Sequence, residues 1–335
     1  MKVIESDNYQ ISIGDKSLTV FRFSDYSDIA ILVDENTKKH CLPTFLGENP
    51  QLNNSIIIEI KSGEENKNIA TCNYIWQQLK NHNFDRNSLL INLGGGVIGD
   101  MGGFCASTYK RGIDFVQFPT TLLAMVDASV GGKLGLDFDG LKNQVGLFTN
   151  PKSVLINPEF LKTLDENQLV FGFAEVVKHA LIADLDFWNY LTKTDFQDLI
   201  WEEVIAHSIA IKNKIVLNDP KEKGERKKLN FGHTFGHAIE SYYLQKGTPV
   251  FHGQAIALGM LIESKMSNLT EIEKGEITTY ILSNFTLPYN PAKNKLIQFL
   301  LNARILLRKN LIYMRTLISM KMVKQILQSD LCQIS

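Results

Sequence analysis

Residues 88–104 read SLLINLGGGVIGDMGGF, an apolar run followed directly by a glycine-rich turn. An apolar run of this length, bounded by turn residues, is typical of a buried strand in a parallel sheet. Gly94, Gly95, Gly96 and Gly99 follow the strand and open a predicted helix. Glycine lets the backbone approach a diphosphate, and the N–H groups of a helix start favour its charge. The same glycines also fit a tight turn that binds no ligand.

Two further apolar runs precede residues 88–104, and a segment with a helical pattern lies between the second run and residue 88. Residues 29–33 form a compact run that ends at Asp34, and residues 55–60 (SIIIEI) form another. Residues 69–82 then have a helical pattern. Strands that alternate with helices predict a parallel sheet covered on both faces.

The two ends of the chain differ in pattern. Polar and apolar residues alternate in residues 1–25, where QISIG and SLTVFRF predict a short hairpin. From about residue 151, strand signals fade and long amphipathic helical stretches dominate. We therefore predict an α/β domain in residues 1–150 and a mostly helical domain in residues 151–335.

Composition narrows the class of protein. The chain has 335 residues, an apolar fraction of 44% and a net charge of −1, which gives no argument for binding nucleic acid or an anionic membrane. The four cysteines form no CxxC pair, as expected in a reducing compartment. The N-terminal residues lack the apolar core of a signal peptide, and no run reaches the roughly 18 apolar residues of a membrane span. We expect a cytoplasmic protein with no nucleic-acid or membrane partner.

Three of the seven histidines lie within residues 229–252, LNFGHTFGHAIESYYLQKGTPVFH. His233 and His237 are four residues apart in a helical pattern, which places both rings on one helix face. His252 follows a loop and precedes a second helical run. Imidazoles that converge from adjacent helices suit a zinc ion with an open coordination position. Histidines at this spacing also occur on surfaces and in satisfied cores.

Six sequence blocks together resemble 3-dehydroquinate synthase across about residues 30–300. The blocks are GGGVIGDMGGFCASTYKRG, FPTTLLAMVDASVGGKLGLD, LKNQVG, FAEVVKHA, LNFGHTFGHAIE and HGQAIALGM. The resemblance is specific because the blocks occur in order and several are long. The wider superfamily includes other sugar-phosphate cyclases and metal-dependent glycerol dehydrogenases.

The resemblance implies a fold and an activity. The fold is a Rossmann-like α/β domain with a glycine-rich NAD loop, followed by a mostly α-helical domain, with the active site in the cleft between them. The activity is a lyase reaction of the shikimate pathway, which leads to chorismate and aromatic amino acids. It converts 3-deoxy-D-arabino-heptulosonate 7-phosphate to 3-dehydroquinate and phosphate. NAD is reduced and re-oxidised at the same carbon, C5, so no net redox change results.

The resemblance also implies site residues. The metal, zinc or cobalt, matches Glu175, His233 and His252, and its role is that of a Lewis acid. The phosphate and its elimination site match Lys133, Asn143, Asn230 and His237. The family also places a further set of charged residues in the active site, with Glu222 in a looser match: Lys178, Lys212, Arg226, Asp127 and Lys142. In this set Lys212 and Arg226 match the substrate carboxylate. Arg111 is expected to enter the site of the neighbouring subunit, which implies a homodimer.

NAD contacts carry over to residues spread along the first half of the chain. They are Asp34, Asn36, Glu64, Lys67, Gly96, Val97, Ile98, Gly99, Asp100, Thr120, Thr121, Lys133, Lys142, Phe160, Leu161, Lys162 and Thr163. An acidic residue directly after a strand is a sensible partner for a ribose hydroxyl.

The C-terminal tail departs from the family pattern. Residues 303–335 contain six basic residues and one acidic residue, although the whole chain has a net charge of −1. A divergent basic helix, a mutated gene and a shifted reading frame all account for this change, and the last is slightly favoured. The last interpretation predicts a lysine-rich, family-like ending in another frame of the encoding DNA after about codon 302.

Three other functions stay open from the sequence. A sibling cyclase would act on a different sugar phosphate, and a polyol dehydrogenase would accumulate NADH. Neither would need Lys212 and Arg226 as a carboxylate clamp. A non-catalytic homologue would bind NAD and zinc without turnover.

Overall fold

The computed structural model describes residues 1–139 and 141–288, apart from the side chain of Gln245. The chain divides into two compact units, Met1–Asn230 and Phe231–Ser335. The atypical tail from about Ala303 lies outside the described residues. Within the described ranges, every helix is too short or too polar to cross a bilayer.

In the described part of the chain, all the strands and the first seven helices belong to the first unit, and α8–α10 belong to the second. The strands are β1 (Lys2–Glu5), β2 (Gln10–Ile13), β3 (Ile29–Asp34), β4 (Ile56–Ile60), β5 (Leu89–Gly94), β6 (Asp114–Pro119), β7 (Lys133–Phe138), β8 (Leu141–Phe148) and β9 (Ser153–Ile156). The helices are α1 (Glu35–His40), α2 (Leu42–Glu48), α3 (Ile69–Asn81), α4 (Gly96–Thr108), α5 (Glu166–Ala183), α6 (Leu185–Lys193), α7 (Trp201–Asn218), α8 (His233–Gln245), α9 (His252–Lys265) and α10 (Glu271–Asn284).

Seven strands form one sheet in the order β1-β2-β9-β6-β5-β3-β4. Only the β1–β2 pair is antiparallel, and the other neighbours run parallel. β5 is buried along its whole length, as its continuous apolar run requires. The predicted parallel sheet, and the strands predicted within 29–33, 55–60 and 88–93, are therefore confirmed. β7 and β8 form a separate antiparallel pair.

Glycines allow α4 to approach the sheet closely. A Cβ atom on Gly102 would lie 1.9 Å from Oδ1 of Asn92 on β5. A Cβ atom on Gly103 would lie 2.5 Å from Cδ2 of Leu134 on β7. A side chain at either position would fit only if the Asn92 or Leu134 side chain or the helix itself moved, so these glycines serve close packing.

The predicted N-terminal hairpin is partly wrong. QISIG forms β2, but its antiparallel partner is β1, and SLTVFRF forms no strand. Residues 17–19 and Phe23 lie in two short 3₁₀ turns, and residues 20–22 link these turns. The first turn follows Gly14, whose φ of 126° turns the chain away from the sheet. The other edge of β2 instead pairs in parallel with β9, a long-range contact that local alternation does not encode.

The position of β9 in the sheet is relevant to where the first domain ends. β9 lies beyond residue 150 yet occupies the middle of the large sheet, because it pairs with both β2 and β6. The compact units divide after Asn230, whereas the predicted domains divide after residue 150. The predicted domain assignment stays a prediction.

The second unit depends on a close crossing of α8 and α9. A Cβ atom on Gly259 would lie 1.9 Å from the carbonyl oxygen of Gly232 and 3.0 Å from the nitrogen of Gly236. Gly232, the N-cap of α8, has a left-handed φ of 79°. The first turn of α8 therefore lies against the middle of α9, and glycine is required on both sides of the contact.

Gly259→Ala should lower the free energy of unfolding by about 1–3 kcal/mol or more, because backbone atoms cannot move aside as a flexible side chain can. Gly275→Ala is the matched control, since Gly275 lies inside α10 and a Cβ atom added there would have no neighbouring atom of residues 1–139 or 141–288 within 4 Å. It should raise stability by about 0.5–1 kcal/mol. Thermal unfolding of both variants checks the pair, and equal midpoints would contradict the packing argument.

Candidate active-site residues

The glycine turn lies where the strand order of the large sheet reverses. β3 and β5 are neighbours, but the chain continues from β3 to β4 on one side and from β5 to β6 on the other. A ligand crevice forms outside the carboxyl ends of the strands at such a reversal. Gly96, Val97, Ile98 and Gly99 form the first turn of α4, and the N-cap Gly95 has no side-chain cap. This turn is a suitable place for an anionic group.

Asp34 ends β3 and caps α1. Its Oδ1 accepts the N–H of Thr37 at 2.7 Å, and its own N–H donates to Oγ1 of Thr37 at 2.9 Å. The reciprocal pair is a capping box. Asn36 lies exposed in the first turn of α1. One oxygen of the carboxylate predicted to bind the ribose, Oδ1 of Asp34, therefore already caps the start of α1.

Lys67, itself a predicted NAD contact, joins two other predicted ligand-binding residues, Asp100 and Asn143. Its buried ammonium donates to Oδ2 of Asp100 and to Oδ1 of Asn143, both at 2.6 Å. Burial raises the pKa of Asp100 to about 6, although Lys67 acts in the opposite direction. Asn143 has a φ of 53°, and its N–H donates to Asp137 at 2.8 Å. The contacts tie the first turn of α4 to the β7–β8 hairpin.

The other predicted NAD contacts differ in exposure. Thr120 is buried and donates its N–H to the carbonyl of Gly94 at 3.0 Å, while the Thr121 hydroxyl accepts the N–H of Ala124. The side chains of Phe160 and Leu161 lie in the core, so only their backbone suits a ligand. The remaining members of the set are partly or fully exposed: Glu64, Lys142, Lys162 and Thr163.

Asp127 is the centre of a charged cluster in the first unit. It lies in a π-helical turn, Ala124–Ala128, a feature that is frequent at functional sites. Its Oδ1 accepts Nζ of Lys212 at 2.7 Å and lies 3.9 Å from Nζ of Lys178. Burial opposes ionisation of Asp127, but the two ammonium groups outweigh it and hold its pKa well below the ordinary value. Burial lowers the pKa of Lys212.

Glu175 and Lys178 extend this cluster along α5. Both side chains are only 1% exposed, and Lys178 donates to Oε2 of Glu175. The three-residue spacing that placed them on one helix face is confirmed as a direct ion pair. A buried ion pair persists only where each charge has a partner.

His179 was not predicted as part of this cluster. It is fully buried, its Nδ1 lies 2.6 Å from Oγ of Ser208, and its Nε2 lies 3.9 Å from Oδ1 of Asp127. Burial lowers the pKa of His179 to about 3, and Lys178 adds to this effect. The sequence did contain one indication of this role, because His179 directly follows Lys178 in the family block FAEVVKHA.

Glu222 brings together two predicted phosphate ligands. Oε2 of Glu222 accepts Nζ of Lys133, and Oε1 accepts Nδ2 of Asn230 at 2.6 Å. Burial raises the pKa of Glu222, but these hydrogen bonds outweigh burial and lower it. Glu222 also has a left-handed φ of 57°. The residue from the looser match is therefore central to this part of the first unit.

Arg226 is buried, with an exposed fraction of 2%. Its Nη1 donates to the carbonyl of Pro220 at 2.7 Å and its Nη2 to that of Gly131 at 3.3 Å. Asp219 accepts the N–H groups of Lys223, Gly224 and Arg226 itself, which fixes the loop. Among the described residues, Nε of Arg226 is buried without a hydrogen-bond partner.

Arg111 lies in an exposed turn after α4. Its φ of 72° and that of Lys110, 50°, are both left-handed. Its predicted role in a neighbouring subunit stays a prediction.

The three histidines of residues 229–252 converge within the second unit. The ring centroids of His233 and His237 are 5.3 Å apart, those of His233 and His252 are 5.5 Å apart, and those of His237 and His252 are 6.0 Å apart. His233 opens α8 and His252 opens α9. The prediction that adjacent helices bring these rings together is confirmed for all three.

Two carboxylates beside these histidines were not predicted. Oε2 of Glu240 lies 3.3 Å from Nδ1 of His252, and Glu240 is 9% exposed. Oε2 of Glu263 accepts the N–H of Gly232 at 2.8 Å, directly before His233. Burial raises the pKa of Glu263 to about 7. Glu240 was detectable as the residue seven positions after His233 on one helix face.

Two family models match the chain in succession. A 3-dehydroquinate synthase N-terminal model matches residues 57–171, and a 3-dehydroquinate synthase C-terminal model matches residues 172–305. The chain belongs to the 3-dehydroquinate synthase family. The match of the C-terminal model ends near the position where the composition of the tail changes.

Relatives support membership in the 3-dehydroquinate synthase family. The 3-dehydroquinate synthase of Parabacteroides distasonis is 44% identical over 246 residues, which are 72% of this chain and 69% of the relative. That of Clostridium botulinum is 45% identical over 273 residues, which are 78% and 76% of the two chains.

Solved structures support the fold. A 2-deoxy-scyllo-inosose synthase, in complex with carbaglucose-6-phosphate, NAD⁺ and Co²⁺, aligns with a TM-score of 0.77 at 23% identity and covers 90% of this chain and 87% of its own. The 2-epi-5-epi-valiolone synthase of Streptomyces hygroscopicus, with NAD⁺ and Zn²⁺ bound, has the same score and identity, with 92% and 89% covered. Both share the α/β and helical architecture of this family member.

The buried imidazole of His179 should make stability depend on pH. The unfolded chain binds its proton near the ordinary value of about 6.5, whereas the folded chain binds it only near pH 3. The unfolded state therefore holds more protons between these values, and stability falls as the pH is lowered through this window. The contribution is about 2 kcal/mol between pH 7 and pH 5.

His179→Gln should remove this part of the pH dependence. Urea unfolding at pH 5, 6 and 7 measures how steeply the free energy of unfolding changes with pH. Because the slope and not the absolute value is compared, an overall loss of stability in the variant does not interfere. His82→Gln, at an exposed position, is the control and should keep the wild-type slope. Parallel slopes for wild type and His179→Gln would refute the burial argument.

Proposed function

We propose that this chain is a 3-dehydroquinate synthase, a carbon–oxygen lyase that acts on 3-deoxy-D-arabino-heptulosonate 7-phosphate. The observation that carries the proposal is the pair of buried cations, Lys212 and Arg226, in a member of this family. They are 5% and 2% exposed, and Arg226 is close enough to contribute to the lowered pKa of Lys212. Lys212 is paired with Asp127, whereas Nε of Arg226 is buried without a hydrogen-bond partner among the described residues. A substrate carboxylate would complete the hydrogen bonds of the planar guanidinium.

NAD fits the reversal of strand order in the first unit. Its diphosphate would bind at the uncapped first turn of α4, and a ribose would lie near Asp34, which follows the neighbouring strand. Lys67 would hold Asp100 and Asn143 in position at the same edge. A side chain on Gly94 would meet Ile98 at 2.5 Å, which supports a turn built for close packing.

A divalent ion, zinc or cobalt, fits the donor set of Glu175, His233 and His252. Two neutral imidazoles and one carboxylate are ligands that a catalytic zinc ion prefers, with positions left for substrate oxygens. NAD supplies a reversible hydride acceptor, and the ion supplies a Lewis acid. Lys178 would orient Glu175 through their hydrogen bond, and Lys212 would help to hold Asp127 in its ionised form.

Phosphate binding draws on Lys133, Asn143, Asn230 and His237. Glu222 holds two of these donors, Lys133 and Asn230, in fixed positions. Ammonium and amide donors stabilise the charge that develops on a departing phosphate. Elimination would therefore occur beside cations that are already oriented.

Assembly and location follow the family. We propose a homodimer in which Arg111 reaches the neighbouring site, and a cytoplasmic enzyme of aromatic amino acid biosynthesis. The exposed position of Arg111 supports the first of these.

The main rivals are a sibling cyclase, a polyol dehydrogenase and a non-catalytic homologue. Neither of the first two needs a carboxylate clamp, so buried Lys212 and Arg226 favour the synthase. The third alternative, a non-catalytic homologue, requires that the tail from about Ala303 abolishes turnover, and this tail lies outside the described residues.

The full chain, with zinc, NAD and the heptulosonate phosphate, should release phosphate and 3-dehydroquinate in equal amounts. NADH should not accumulate, because the cofactor is regenerated in each turnover, and a chelator should stop the reaction. Accumulation of NADH with an alcohol would instead identify a dehydrogenase. Bound NAD and zinc without phosphate release would identify the non-catalytic homologue, and a family-like ending would then be restored to test the tail.

Arg226→Lys should lower kcat/KM for the heptulosonate phosphate by about 10- to 150-fold, since a charged hydrogen bond is worth about 1.5–3 kcal/mol. Lysine keeps the charge but not the planar fork of donors. NAD affinity should not change. Arg22→Lys, at an exposed ion pair, is the control. An equal loss of NAD affinity in the Arg226 variant would indicate a folding defect instead of a lost substrate contact.

A further inference from the structure

Glu240 lies on the same face of α8 as the two histidines of that helix. His233, His237 and Glu240 are spaced by four and three residues, so their side chains follow one another along α8. Glu240 is 9% exposed, which is unusual for a glutamate. A carboxylate buried to this extent requires a hydrogen-bonding or charged partner.

The crossing of the two helices supplies that partner. Gly232, Gly236 and Gly259 bring the backbones of α8 and α9 into contact. As a result Oε2 of Glu240 lies 3.3 Å from Nδ1 of His252 at the start of α9. The contact engages Nδ1, one of the two ring nitrogens of His252.

We propose that Glu240 is a positioning residue that fixes the tautomer and orientation of His252 for metal binding. This inference rests on the proposed function, in which His252 is a ligand. A histidine binds a metal through a ring nitrogen that carries no proton. When Nδ1–H donates to a carboxylate, the proton is held at Nδ1, the lone pair is held at Nε2, and the ligand becomes more basic.

A different arrangement would make Glu240 itself a ligand. One ligand atom each from His237, Glu240 and His252 lie within 4.8 Å of one another in the second unit. The 3.3 Å between Oε2 of Glu240 and Nδ1 of His252 fits a hydrogen bond, and two ligands of one tetrahedral zinc ion would lie about as far apart. The two arrangements differ in which residues contact the metal, so the identity of the ligands decides between them.

The experiment measures zinc affinity of the full chain by competition with a chromophoric chelator, and the visible spectrum after cobalt(II) substitution. Glu240→Leu removes the acceptor and should weaken zinc binding about 10- to 100-fold. Glu240→Gln keeps an acceptor oxygen for Nδ1–H and should stay much closer to wild type. His237→Gln should not change zinc affinity. Cobalt bands should keep their positions and intensities in all three variants, since no ligand is lost.

Three results would overturn the proposal. Equal zinc affinity in wild type and Glu240→Leu would remove any role for Glu240. Loss of affinity in both Glu240→Gln and His237→Gln, with altered cobalt bands, would make these residues ligands. Failure of the wild-type chain to bind zinc or cobalt would reject the metal of the proposed function itself, and the inference with it. If Glu240→Leu does not fold, the Glu240→Gln spectrum and affinity still decide between the two arrangements.

Discussion

The ionised carboxylate of Asp127 balances the charge of the first unit's interior. Lys178 and Lys212 are both nearly inaccessible to water, and Asp127 contacts both. Removal of one member of a buried ion pair leaves an uncompensated charge, at a cost of about 3–5 kcal/mol. The π-helical turn that carries Asp127 and the helices that carry the lysines are thereby held together by charge as well as by packing.

Burial keeps the imidazole of His179 neutral, and the nearby ammonium of Lys178 adds to this effect. The His179 ring lies beside Asp127 and two ammonium groups, and Ser208 hydrogen bonds to Nδ1. A proton on this ring would add a third cation to a cluster in which two carboxylates, Asp127 and Glu175, already pair with the two ammonium groups. The cluster thus combines fixed cations with an uncharged imidazole, an arrangement suited to an anionic substrate.

Several of the residues with proposed roles in binding also have structural tasks. Asp34 caps α1, Lys67 links α4 to the β7–β8 hairpin, and Glu222 holds Lys133 and Asn230. Side chains that are already hydrogen bonded have fixed positions, which lowers the entropy lost when a ligand binds. A substitution at any of these positions therefore combines a change in binding with a change in local structure.

The sequence by itself determined the parallel sheet, the glycine turn, the helix-face pairing of Glu175 with Lys178, and the family. These features depend on local periodicity, on residue type and on motif order, which a linear sequence records directly. SLTVFRF was misjudged because alternation does not reveal which strand pairs with which, and β2 pairs with β9 across more than a hundred residues. The contacts of His179 with Ser208 and of Glu240 with His252 were decided only by tertiary structure. Each joins side chains from different helices, and the distance between two helices depends on packing, which no local pattern encodes. For α8 and α9 this packing depends on glycines at their crossing.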